Sequence, residues 1–260
     1  MKRRHLTFLC EGATLVGTLD EAAGNTALLL VSGGNEVRAG AWNGQAQFAA
    51  RIAATGFPVL RFDRRGVGDS EGENAGFRGS APDIAAAAAT LREAMPHVTR
   101  VVALGNCDAA SALMLATGAG CDALVLSNPW TFEDDAAEEA PAEVVRAHYR
   151  QRLADPAALR RLLTGQVSLG KLVRSLVSAL RPAPPQAQGL AGDIARGLAG
   201  FNGPVRFLVA ERDRTGLAFL SRWDKADPRI RVCPGASHSY VEAAAQEWLV
   251  AEVLEVLRGT

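Results

Sequence analysis

Runs that are apolar but for a terminal Thr26 or Ser127 cover residues 26–31, 101–104 and 123–127, and apolar residues also dominate 59–63, with Arg61 and a closing Asp63, and 205–209, with Arg206. A short continuous apolar run bounded by turn residues is the mark of a strand buried on both faces. Between these runs the pattern changes to helical spacing, over residues 42–54 and over the alanine-rich 83–95, where Pro82 suits the first turn of a helix. Two further apolar stretches within residues 6–19 flank Glu11-Gly12 and predict an antiparallel hairpin. Strands alternating with helices of ten or more residues predict an α/β fold with a mainly parallel sheet covered on both faces.

The alternation stops near residue 131. From there to residue 199 only helical periodicity is found, over 142–153, 156–163, 169–180 and 194–198. This stretch begins acidic, turns basic, and is broken by Pro182, Pro184 and Pro185. Linkers lack such apolar periodicity, so residues 129–200 are expected to form a helical insert. The sheet resumes with residues 205–209 and 230–232, and a closing amphipathic helix is predicted over 240–257.

Charge then narrows the partners. The 260 residues carry 28 basic and 28 acidic side chains, which argues against a nucleic-acid or anionic-membrane surface as the main partner. The basic start is followed by too short and too polar a stretch for a signal peptide, and no later run could span a bilayer. A cytoplasmic protein is expected. Its four cysteines form no C-x-x-C pair and its four histidines are isolated, so neither a disulfide framework nor a metal site is expected.

The candidate chemistry sits where the 101–104 run meets Gly105-Asn-Cys-Asp-Ala-Ala110 and a helical segment follows. A strand passing through a tight turn into a helix holds its apex residue out on a strained backbone, and its crowded flanks demand small residues. Here the apex is Cys107. A helix N-terminus and a nearby histidine both favour a thiolate, although free cysteine is also among the most buried residue types.

Two more features fall at strand C-terminal ends, where open α/β sheets place ligands. Asp213 lies in Glu211-Arg-Asp-Arg-Thr215, and His238 in Pro234-Gly-Ala-Ser-His-Ser239. Taken alone, an aspartate there is a helix cap, with Glu211 and Asp227 as competitors, and a histidine near glycine is a solvated residue. The chain order nucleophile, acid, base joins them: the acid orients His238, and His238 deprotonates Cys107. Asp134, one strand earlier, is the alternative acid. The backbone N–H of Asp108, after the nucleophile, would stabilise an oxyanion together with a donor from the Gly33-Gly34-Asn35 loop, Asn35 first and Gly34 second.

These residues, with Arg61-Phe-Asp-Arg-Arg-Gly-Val-Gly-Asp-Ser70, resemble the alpha/beta-hydrolase superfamily over nearly the whole chain. The resemblance implies an eight-stranded, mainly parallel sheet flanked by helices, a core at residues 1–128 and 201–260, and a helical cap at 129–200. It also implies that the 63–70 loop shapes the site without taking part in the chemistry. The elbow Cys-Asp-Ala-Ala-Ser-Ala, with Gly-Gly where the family has His-Gly, is most similar to the type 1 hydrolases associated with the exosortase A system. Cysteine also replaces the more usual serine.

The function these expectations define is hydrolysis of a carboxylic ester or thioester through an acyl-enzyme on Cys107, with a small-molecule acyl substrate and no cofactor. An acyltransferase using a hydroxyl acceptor such as a sugar, and a binding protein that kept the fold, are the rival readings. A dinucleotide site at Gly66-Val-Gly-Asp-Ser-Glu-Gly72 fails, because no helix opens directly from it. The oligomeric state is left open.

Overall fold

The computed structural model describes residues 2–133 and 189–259. Its strands are β1 (Lys2–Cys10), β2 (Ala13–Glu21), β3 (Thr26–Val31), β4 (Val59–Phe62), β5 (Arg100–Asn106), β6 (Ala123–Ser127), β7 (Val205–Ala210) and β8 (Ile230–Cys233). They form one eight-stranded sheet in the order β1-β2-β4-β3-β5-β6-β7-β8. β2 runs antiparallel to both β1 and β4, and every other pairing is parallel. This is the alpha/beta-hydrolase fold expected from the sequence.

The continuous apolar strands are double-sided, and alternate residues serve opposite cores. Leu29, Val31, Val101, Ala103, Leu124 and Leu126 face one apolar cluster, packed by α2 (Ala81–Ala94) and α3 (Asp108–Leu115). Leu28, Leu30, Val102, Leu104 and Val125 face the other, packed by α1 (Gly44–Ala54) and α6 (Ala243–Arg258). Period-two alternation inside an all-apolar run is what a sheet covered on both faces requires.

Several boundaries differ from the sequence reading. The first hairpin is longer, because Lys2, Arg3, Arg4 and His5 continue β1 as an edge strand, with Arg3 paired to the buried Asp20 at 2.5 Å. Edge strands tolerate such charges on their open side. A short α5 (Arg214–Arg222) follows β7, where the sequence reading named no helix. The last helix starts at Ala243, three residues later than expected, after the positive-φ Tyr240.

Within the expected insert, α4 (Leu190–Ala199) lies against α3 and buries Leu190, Ile194 and Leu198 in the cluster shared with α2 and α3. The helices expected over 142–153, 156–163 and 169–180, and the alternative acid Asp134, lie outside the described residues. No helix among the described residues is long and apolar enough to cross a membrane.

Candidate active site

Parallel pairing of β5 with both β3 and β6 sets the elbow at the centre of the sheet's C-terminal edge. Cys107 leaves β5 with φ 61° and ψ −125°, and acts as the N-cap of α3. Positive φ in a non-glycine residue is strained and persists only when its surroundings over-determine it. Here they do. The Cys107 N–H donates to the Ser127 carbonyl at 2.9 Å, and its carbonyl accepts from Ala110, Trp130 and Ser111 at 3.1, 3.2 and 3.3 Å. A Cβ on Gly105 would stand 2.7 to 2.8 Å from the backbone of Ala109 and Ala110, so only glycine lets β5 and α3 approach this closely.

His238 and Asp213 arrive from the loops after β8 and β7. Asp213 is 7 % exposed, and its Oδ2 lies 2.9 Å from His238 Nδ1. The same oxygen accepts the Gly216 N–H at 2.9 Å, so Asp213 is also the N-cap of α5. The cap and the histidine partner are one residue, and capping fixes the carboxylate before the histidine meets it. The competitors are engaged elsewhere. Glu211 accepts the Gly235 N–H at 2.7 Å, and Asp227 is held by Arg229 and Trp223.

His238 is raised from its ordinary 6.5 to about 10, first by its pairing with Asp213 and next by the Cys107 sulfur. The structure thus brings Cys107, His238 and Asp213 together. The other three cysteines are buried away from this cluster. Burial pushes the Cys10 thiol up to about 11 and that of Cys121 up to about 12, and raises Cys233 as well.

The loop after β3 closes over the elbow. The Gly34 N–H donates to both oxygens of the Asp108 carboxylate, at 2.7 and 2.9 Å, so it is not free. Among the described residues no hydrogen bond engages the backbone N–H of Asn35 or of Asp108. The Gly34 carbonyl accepts from Arg64, a side chain only 3 % exposed. A trans peptide points its C=O and the following N–H in opposite directions, so this hold turns the Asn35 N–H away from the guanidinium. A Cβ on Gly33 would lie 2.5 Å from Asp108 Oδ1. That contact explains why glycine stands where the family resemblance leads one to expect histidine: the Asp108 carboxylate fills the space.

Three contributors escaped sequence reasoning. Asn106 Nδ2 sits 3.3 Å from His238 Nε2, and Asn106 Oδ1 accepts from Asn128 Nδ2 at 3.1 Å. Asn128 is fully buried at φ 42°, and its Oδ1 accepts the Ala210 N–H at 2.8 Å, which ties the end of β7 to the elbow. Tyr240 shares a 3.0 Å hydrogen bond with Ser127 beneath the histidine loop. An asparagine at or just past the end of an apolar run, as Asn106 and Asn128 are, was the available signal.

Asp63 lies outside this group, as the sequence reading placed it. Its buried carboxylate accepts the N–H groups of Arg38 and Asp69 and pairs with the Arg38 side chain, which shapes the 63–70 loop. Around the thiol the described residues line a cleft of about 510 Å³, walled by Gly33, Gly34, Phe77, Trp130 and His238. Among the described residues no cluster of histidine, cysteine or carboxylate could hold a metal ion.

A sheet of this order, with a strained elbow after β5 and histidine and aspartate loops after β8 and β7, defines the class. Residues 28–252 match the model of the alpha/beta hydrolase family, and the chain belongs to that family. Among solved structures it is similar to the alpha/beta hydrolase GrgF from Penicillium sp. sh18, at 17 % identity and TM-score 0.67, over 99 % of this chain and 98 % of that one. It is also similar to the Pyrococcus furiosus esterase Pf2001, at 16 % identity and TM-score 0.60, over 99 % and 90 %. A third is Est1E from Butyrivibrio proteoclasticus, solved with ferulic acid bound, at 17 % identity and TM-score 0.58, over 98 % of both chains. No curated protein matches the chain in sequence.

Proposed function

We propose that this protein hydrolyses carboxylic esters or thioesters through a cysteine nucleophile. The observation that carries the reading is His238, paired with Asp213 through Nδ1 at 2.9 Å and lining the same cleft as Cys107. Cys107 attacks the acyl carbonyl carbon as the thiolate. The backbone N–H groups of Asp108 and Asn35 take the developing oxyanion, in the part that the fixed donors of acyl-transfer enzymes play. The imidazolium of His238 protonates the departing alcohol or thiol, which leaves an acyl-thioester on Cys107.

Acylation changes the histidine. The Cys107 sulfur is acylated, so one of the two partners that raise His238 is lost, and the ring more readily stands neutral, as a general base must. It then takes a proton from water, which attacks the acyl-thioester and releases the carboxylic acid and the Cys107 thiolate–imidazolium pair. Asp213 holds one orientation of the ring throughout, as the aspartate of a triad does.

The similarity to Pf2001 and Est1E supports ester substrates. The elbow and Gly33-Gly34 support membership of the exosortase A-associated type 1 hydrolases, with residues 129–200 as a cap and a cytoplasmic location. A panel of chromogenic acyl esters and thioesters, run with and without an added alcohol acceptor, tests the reading against Cys107→Ala. Turnover that survives in Cys107→Ala overturns it. Acyl transfer that outruns hydrolysis assigns the same chemistry to an acyltransferase.

A further inference from the structure

A second chamber of about 360 Å³ opens between α1 and α6, on the far side of the histidine loop from α3. It shares walls with the catalytic cleft, since Val31, Gln45, Asn106 and Ser239 line both. Leu30, Phe48, Leu104 and Leu249 form an apolar part of its surface, and Gln47, Arg51 and Gln246 add polar groups from α1 and α6. Two large apolar side chains in its lining are turned to solvent: Trp42, 93 % exposed, and Val241, 61 % exposed. Single exposed apolar residues need no explanation, but two lining one apolar cavity that joins a reactive thiol do.

We infer that this chamber is a binding site for an unbranched aliphatic chain carried by the substrate. The inference rests on the acyl-hydrolase reading and adds to it the substrate class. The lining offers dispersion contacts, and several of its polar groups are engaged: Arg51 donates to Glu247 at 2.7 Å and the Gln246 amide to the Val241 carbonyl at 3.3 Å. Glu36, the carboxylate in the wall, is occupied by the Ala41 N–H and the Gln45 amide, both at 2.6 Å. A charged or hydroxyl-rich group placed here would exchange water for apolar walls at a cost, whereas a methylene chain gains on burial. Gln45, which lines both chamber and cleft, is itself anchored by Ser32 at 3.0 Å.

Two variants test this without touching the reacting groups. Gly44 opens α1 with helical φ, lines the chamber, and an added Cβ there meets no atom within 4 Å, so Gly44→Phe introduces bulk from an uncrowded backbone position. Leu249→Asn leaves the volume similar and makes the wall polar. Chain length is varied in two ester series from two to twelve carbons, one lengthened on the acyl side and one on the alcohol side.

In the wild-type protein one series is expected to gain about fourfold in kcat/KM per added methylene until the chamber is full. Both variants should flatten that series while acetyl esters react within about twofold of wild type. A slope that persists in both folded variants, or none in either wild-type series, overturns the inference. Calorimetric titration of Cys107→Ala with decanoate and with decan-1-ol reads the chamber independently of turnover. Binding lost in the Gly44→Phe double variant supports the site even if no ester is cleaved, and absence of binding to both probes refutes it even if esters are.

Discussion

The Asp108 carboxylate, one residue after the candidate nucleophile, accepts the Gly34 N–H through both of its oxygens, at 2.7 and 2.9 Å. The residue whose N–H we propose as one oxyanion donor therefore also holds the loop that carries the proposed second donor, Asn35. Asp108→Ala removes the anchor but keeps the Asp108-position N–H. Losing an oxyanion donor outright costs about 10²–10³ in kcat, and a misplaced donor costs part of that. Asp108→Ala is expected to lower kcat about tenfold to a hundredfold with KM within a few-fold, and Asp108→Asn, which keeps one acceptor oxygen, to lose less. Equal steady-state constants for Asp108→Ala and wild type would mean that the loop stands without this contact.

Arg64 is expected to matter through the same peptide. Its guanidinium holds the Gly34 carbonyl from a site only 3 % exposed. Arg64→Met should lower kcat with little change in KM, and Arg64→Lys should recover part of it. A matching loss of thermal stability without the kcat change would make Arg64 purely structural.

Brief iodoacetamide treatment followed by peptide mapping should find Cys107 modified before the other cysteines. Cys10, Cys121 and Cys233 are all buried, and burial raises each thiol above its ordinary value. Only the thiolate alkylates readily, so these three are doubly protected. Faster labelling of any of them in the folded protein would remove Cys107 as nucleophile.

The His238–Asp213 pair predicts a pH dependence. A group whose pKa is raised by folding contributes its stability fully below the unfolded value and loses it as pH rises through the folded one. For His238 that window runs from its ordinary 6.5 to about 10. The protein is expected to lose stability across this range, with Asp213→Asn flattening the decline, as read from urea midpoints at successive pH. The His238 side chain is 40 % exposed, so solvent screening keeps the effect small. In activity, Asp213→Asn should shift the alkaline limb to lower pH. It should also cut kcat, with about 10⁴-fold as the upper guide from a serine protease. An unmoved limb would place the orienting acid elsewhere.

Gly105→Ala tests the elbow by packing alone. The new methyl would press on the backbone of Ala109 and Ala110. Overpacking of this kind costs about 1–3 kcal/mol, or about 2–4 °C in Tm per kcal/mol for a domain of this size. A wild-type Tm would show that β5 and α3 can separate freely.

What the sequence by itself determined was local. The runs at residues 26–31, 101–104 and 123–127 specify strands because a continuous apolar segment can satisfy its surface only inside a sheet covered on both faces. The small residues Gly105, Ala109 and Ala110 specify the turn because nothing larger fits it. Chain order put a cysteine, an acid and a histidine at strand ends, which any α/β sheet gathers on one edge. It could not choose Asp213 over Glu211 or Asp227, since all three stand in turns of similar composition. That choice depends on parallel pairing of β7 with β8, which aligns Ala210 with Cys233, and on α5, whose N-cap Asp213 turns out to be. Nor could spacing show that Asp108 closes on Gly34, 74 residues earlier, or that Asn128 ties β7 to the elbow. Contacts of that reach depend on where strand register and helix faces bring distant side chains, and only the packed tertiary structure decides this.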